Sequence, residues 1–66
     1  MILRFIIKSL RDDNYYCGED AFAMWDRDMF AAKRFRSHQE ALKLVSNLEE
    51  GMYKIEEVYV VEPKNP

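Results

Sequence analysis

Cysteine, histidine and glycine are nearly absent from this chain, and each shortage closes a route. The single cysteine, Cys17, cannot form an intrachain disulfide. With the single histidine, His38, it falls short of the four soft ligands of a structural zinc site. The two glycines, Gly18 and Gly51, make no glycine-rich loop to wrap a phosphate. No run approaches the ~18 apolar residues of a membrane helix. The opening MILRFII is broken by Arg4 and lacks the small-residue cleavage site of a secretory leader. A free thiol suits a reducing compartment, so a cytoplasmic protein without membrane contact is expected.

The 66 residues are 48% hydrophobic and amount to one domain. A domain below roughly 70 residues is marginal, and small scaffolds lean on disulfides, metals or self-association. With disulfides and zinc removed by counting, a homodimer is the expected support. Net charge is −2, but the charge is not evenly spread. Residues 27–43 carry Arg27, Lys33, Arg34, Arg36 and Lys43 against Asp28 and Glu40. Both flanking regions are acidic, so the basic middle could meet phosphates or the acidic segments of its own fold or of a twin subunit, the latter being the expectation.

The order of elements follows from spacing and turn chemistry. Residues 1–8 alternate, with Leu3, Phe5 and Ile7 on one face and Ile2, Arg4 and Ile6 on the other, which predicts a strand covered at least partly on both sides. Arg11-Asp12-Asp13-Asn14 is a turn, residues 14–17 a short second strand and residues 21–25 a third. Asp26 or Asp28 can cap one helical turn, with Met29, Phe30 and Ala31 or Ala32 packing inward, or the segment is an irregular lead-in to the helix. Ser37-His38-Gln39-Glu40 fits a capping box, in which the Ser37 hydroxyl accepts from the Glu40 N–H and the Glu40 carboxylate reaches back to the Ser37 N–H. Ala41, Leu44, Val45 and Leu48 then form a buried helical stripe that Gly51 ends. Residues 52–62 form the last strand, and a bulge at Glu56-Glu57 would align Ile55, Val58 and Val60. The expectation is an α+β domain over residues 1–62. It has a small, mostly antiparallel sheet in the order β-β-β-α-β, with one helix on one face and a polar tail at 63–66.

One helix covers one face, and Ile6, Tyr15, Trp25, Tyr53 and Tyr59 are the candidates for the other. An apolar face left bare is a dimer interface or a partner-binding surface, where Trp and Tyr concentrate binding energy, and the alternative is that several of these aromatics belong to the core. Tyr15, Trp25, Tyr53 and Tyr59, with Glu56 and Glu57, are therefore the expected partner-binding residues. Lys33, Arg34 and Arg36 around Phe35 are the expected contacts if the partner is nucleic acid, a reading the modest basic excess makes secondary. Phe35 itself precedes a capped helix and is expected to pack down as a hydrophobic staple.

Catalysis finds no footing. Cys17 sits in or beside a strand and His38 in the first helical turn, outside any known nucleophile context. Asp12, Asp13, Asp26 and Asp28 are explained by turns and caps, and lack the further ligands and glycine of a calcium loop. No catalytic residues, metal or cofactor are expected.

A tryptophan at a strand end, an acidic turn, Ala32-Lys33-Arg34-Phe35, Ser37-x-x-Glu40-Ala41 and Ile55-Glu56-Glu57-Val58 together resemble small single-domain accessory proteins of bacteriophages and mobile elements. That resemblance implies a non-enzymatic module that binds and inhibits a host protein in the host cytoplasm. It would cover a host surface with its aromatic face or with the acidic residues Glu49, Glu50, Glu56 and Glu57.

Overall fold

The computed structural model describes residues 1–19, 23–48 and 51–61. Four strands form one antiparallel sheet in the order β3-β2-β1-β4: β1 is Ile2–Ser9, β2 Tyr15–Tyr16, β3 Trp25–Asp26 and β4 Tyr53–Val60. The helix α1, His38–Val45, falls between β3 and β4 in the chain, and a 3-10 turn, Met29–Ala31, lies just before it. This is the expected β-β-β-α-β architecture.

The long strands β1 and β4 carry the sheet. Their pairing runs without a break from Ile2 opposite Val60 to Ser9 opposite Tyr53. Directly opposed residues share a face. Phe5, Ile7 and Ser9 therefore lie with Glu57, Ile55 and Tyr53 on one side, and Arg4, Ile6 and Lys8 lie with Val58, Glu56 and Lys54 on the other. The bulge expected at Glu56-Glu57 is absent. Continuous pairing places Ile55 and Val58 on opposite faces, and both faces of β4 find apolar company.

The helix covers the Ile7 side. Ile7, Tyr16, Phe35 and Ala41 form the buried cluster, and Phe5, Trp25, Leu44, Val45, Tyr53 and Ile55 pack around it. Aromatic contacts organise its middle: Tyr16 meets Trp25 at 5.4 Å and stacks on Phe35 at 6.4 Å, while Trp25 lies 5.3 Å from Tyr53. Trp25 and Tyr53 thus belong to the core beneath the helix, not to the opposite face. Phe35 is buried as expected, and it does more than anchor. Its backbone exchanges two hydrogen bonds with Phe5, at 2.9 and 2.8 Å, and so continues the β1 edge beyond β2.

Helix α1 starts as the spacing predicts. The Ser37 hydroxyl accepts from the Glu40 N–H at 3.2 Å. The Glu40 carboxylate reaches one residue further back than the expected box, accepting the Arg36 N–H at 3.3 Å. The helix stops at Val45, before Leu48 and well before Gly51. The Ser46 hydroxyl and the Asn47 side-chain amide both donate to the Lys43 carbonyl, at 2.8 and 3.3 Å. The Asn47 and Leu48 N–H groups fall back to tighter bonds with Leu44 and Val45. Short polar side chains compete with the helix for its own carbonyls, and here they end it.

Other boundaries shift modestly. The second strand is two residues long, and Trp25 opens the third, while residues 21 and 22 of its expected span lie outside the described set. Glu49, Glu50 and residues 62–66 also lie outside it. Asp28 caps the 3-10 turn, accepting the Phe30 N–H at 2.9 Å, and Asp26 accepts the Asp28 N–H at 2.8 Å. Met29 and Phe30 do not pack inward as expected. Both are exposed, and of the residues expected to pack inward only Ala32 is buried.

Candidate functional site

The face away from the helix is only partly bare. Ile6 points to that side and yet is 1% exposed. Its cover is the segment after β3: Met29, Phe30 and Arg34 line a cleft with Ile6, and β4 closes the other wall with Val58 to Val61. The cleft has a volume of about 250 Å³. That is close to the lower end of small-ligand sites, and it is room for one or two apolar side chains. Its rim is unusually apolar for a surface: Phe30 is 79% exposed, Val61 77% and Tyr59 65%.

The local sequence explains why Phe30 stands out. The Asp26 and Asp28 side chains occupy the backbone N–H groups at the start of the turn, which fixes its direction. The three-residue turn then ends at Ala32, which is buried while Lys33 donates its N–H to the Tyr16 carbonyl at 2.8 Å. A turn tied at both ends, and too short to bury every side chain, leaves its large residues on the outside.

Beside the cleft lies a basic surface. Lys33, Arg34, Arg36 and Lys43 surround a shallow depression with Phe35 at its floor, and Arg34 also lines the cleft. The Lys33 ammonium sits 5.4 Å from the Phe35 ring centre, a cation–π arrangement that holds the stem against the core. The one carboxylate at this depression, Glu40, is engaged in capping the helix. Glu40 keeps its charge while it caps, so among the described residues the four cations against one carboxylate leave the depression net positive.

The expected partner-binding residues do not converge. Tyr59 is exposed at the cleft. Tyr15 is half-buried, with the Lys8 ammonium 5.8 Å from its ring centre. Trp25 and Tyr53 are core residues. Glu56 is half-buried 4.0 Å from Lys8, which also lies 3.6 Å from Asp13, and Glu57 is exposed on the helix side opposite Phe5. Lys33, Arg34 and Arg36 do come together. Sequence reasoning missed Met29, Phe30, Val58 and Val61. The signal was present as Asp26-x-Asp28, because two caps in succession leave no slack for the following residues to turn inward.

Cys17 directly follows β2, donating its thiol to the Tyr15 carbonyl at 3.4 Å. Burial first, then the carboxylates of Asp26 and Asp28, push the thiol above its ordinary value, partly offset by a hydrogen bond with the Asp26 backbone. A thiolate is thus disfavoured there, which is the opposite of nucleophile activation. His38 lies at the start of the helix, its ring meeting Phe5 edge-on at 5.9 Å. Among the described residues, no group of three or more His, Cys, Asp or Glu is placed to hold a metal ion. No helix among them is long and apolar enough to cross a membrane. Comparison of the chain with protein-family models, curated proteins and solved structures returned no match.

Proposed function

We propose that this chain is a non-enzymatic protein-binding module that takes an apolar side chain of its partner into the cleft beside Phe30. The partner's flanking carboxylates would rest on Lys33, Arg34, Arg36 and Lys43. The observation carrying this reading is the adjacency of an exposed apolar cleft and a net-positive surface, joined through Arg34. Apolar anchors supply affinity and complementary charge supplies orientation and speed of encounter. Binding would act by covering the partner's surface, and for a phage accessory protein that partner is a host factor.

Selection from a displayed peptide library tests this directly. Enriched peptides should carry a Leu, Phe or Trp anchor with Asp or Glu nearby. Phe30→Asp and Arg34→Glu should each weaken the selected peptide at least about tenfold, the loss expected for an interface anchor. Both variants should stay folded, read by circular dichroism, because both side chains are exposed. Peptides that bind Phe30→Asp as well as the parent protein would rule the cleft out.

Nucleic acid is the second reading, favoured by the four cations around one depression. Phosphate binding must weaken linearly in log salt, with a slope set by the number of phosphates neutralised. A labelled single-stranded oligonucleotide that stays unbound at low salt removes this reading.

A further inference from the structure

Strand β4 is an open edge. Among the described residues its outer side pairs with no strand. The direction of its backbone groups follows from the register. Even residues of β1 bond even residues of β4, as in the Leu10 N–H to Met52 carbonyl bond that extends the ladder at 2.8 Å. The odd residues of β4 (Tyr53, Ile55 and Glu57 among them) therefore turn their N–H and C=O groups outward. The edge carries no bulge and no proline, two common devices against pairing. Among the described residues its protection rests on charge: Lys54, Glu56 and Glu57.

That protection depends on register. In a twofold antiparallel pairing, centring on Lys54, Glu56 or Glu57 sets that residue against its own copy, and like charges directly opposite repel. Centring on Val58 sets Glu56 and Glu57 against Val60 and Tyr59, with no cation facing them. Centring on Ile55 alone among these sets Lys54 against Glu56 of the second copy, twice, by symmetry. A second feature points the same way. Within the fold Lys54 stands directly opposite another lysine, Lys8, and no described residue forms an ion pair with Lys54. Lys8 has both Asp13 and Glu56 within 4.0 Å, whereas Lys54 has no carboxylate that close among the described residues.

We propose that two copies of this chain join edge to edge through β4, in antiparallel register centred on Ile55. Tyr53, Ile55 and Glu57 of each copy exchange about six backbone hydrogen bonds across the twofold axis. The Lys54–Glu56 pairs lie on the face away from the helices. The sheet continues through the axis, and both helices lie on the same side. Val58 to Val61 fall outside the central overlap, so each cleft stays open to a partner. This surface is separate from the cleft, and the two proposals stand or fall independently.

A charge swap tests the register. Sedimentation equilibrium of the parent chain at about 100 μM should show dimer, since an edge contact below the usual interface size gives only modest affinity. Lys54→Glu and Glu56→Lys should each weaken self-association about tenfold or more, because each turns two attractive pairs into two repulsive ones. The double variant K54E/E56K should regain the dimer. Mixing the two single variants should yield a heterodimer, because positions 54 and 56 are both acidic in one variant and both basic in the other. Lys54→Glu also places a carboxylate opposite Lys8, so its loss of dimer cannot be laid to a weakened fold. If Glu56→Lys folds poorly, the double variant decides alone. A parent chain that is monomeric at about 1 mM, far above the affinity of any functional edge pairing, overturns the proposal. So does a double variant no better than the singles, or a mixture that stays monomeric.

Discussion

Replacing Ile6 by alanine asks whether the sheet has one core or two. Ile6 and Ile7 are neighbours on opposite faces, and they are 1% and 0% exposed. Ile7 lies under the helix. Among the described residues, Ile6 is covered by the irregular segment around Met29 and Arg34, together with β4. If that segment is a true second layer, Ile6→Ala removes buried carbon atoms much as Ile7→Ala does. Large-to-small changes at such sites cost about 2–5 kcal/mol. At roughly 0.05–0.15 kcal/mol per residue, a chain of this length has only about 3–10 kcal/mol in total. Ile6→Ala should therefore remove a large part of the stability, and Ile6→Val about 0.5–1.5 kcal/mol. Urea unfolding followed by fluorescence reads both. Trp25 is the only tryptophan, and it packs between Tyr16 and Tyr53, so its emission reports the core. With a urea dependence of about 1 kcal/mol per molar, expected for a small domain, Ile6→Val moves the midpoint by about 0.5–1.5 M. A loss below about 0.5 kcal/mol for Ile6→Ala is what a surface position gives, and it would refute the second layer.

Other outcomes follow from the same structure. Ser37→Ala should cost about 1 kcal/mol, while Ser37→Asp, which keeps an acceptor for the Glu40 N–H, should stay near the parent in thermal melts. Gly18 holds φ +107°, and a Cβ there would meet Lys33 Cδ at an ordinary 3.5 Å, so Gly18→Ala should cost about 1–3 kcal/mol through the backbone alone, read as a shifted urea midpoint. Cys17 binds its proton more tightly in the folded chain than in the unfolded one. Its contribution to stability is therefore intact below the ordinary thiol range and declines as pH rises through that range towards the raised folded value. Urea midpoints between pH 7 and 10 should fall more for the parent than for Cys17→Ala, and iodoacetamide at pH 8 should label the native chain more slowly than the unfolded one.

The ordering of the elements was legible because its signals are local. Alternation in residues 1–8, the Ser37 cap and the Ala41, Leu44, Val45 stripe each need only neighbours in the chain. What escaped was set by distant partners. The side taken by Trp25 and Tyr53 depends on the register of β2 with β3 and of β1 with β4, and a slip of one residue would send either ring to the opposite face. The bulge at Glu56-Glu57 was inferred from imperfect alternation, on the assumption that one face of β4 must be apolar. In the structure each face of β4 mixes apolar and charged residues, Tyr53 and Ile55 with Glu57 on one and Val58 and Val60 with Lys54 and Glu56 on the other, and the segment after β3 covers part of the second. The exposure of Phe30 reversed its expected burial for a similar reason. The turn that carries it is tied down by Asp26, Asp28 and the Lys33–Tyr16 backbone bond, the last a contact that periodicity does not encode. The basic cluster at 33–36 was visible because its members are adjacent in sequence, but its junction with an apolar cleft through Arg34 was not.

The unbroken ladder between β1 and β4 bears on how the molecule comes into being. Ile2 pairs with Val60, so the longest-range contacts are also the ones that hold the central strand. Closing that loop comes at the greatest entropic cost and rewards the chain only once both strands exist. During synthesis β1 emerges early and must wait, with Ile6 and Ile7 unshielded, until β4 has been made. Helix α1 gains little by forming sooner, since the sheet it packs on is incomplete. Folding should thus be one late, concerted event rather than growth from the N-terminus, and slow for so short a chain. A chain cut short within β4 would lose the whole structure instead of a fragment of it.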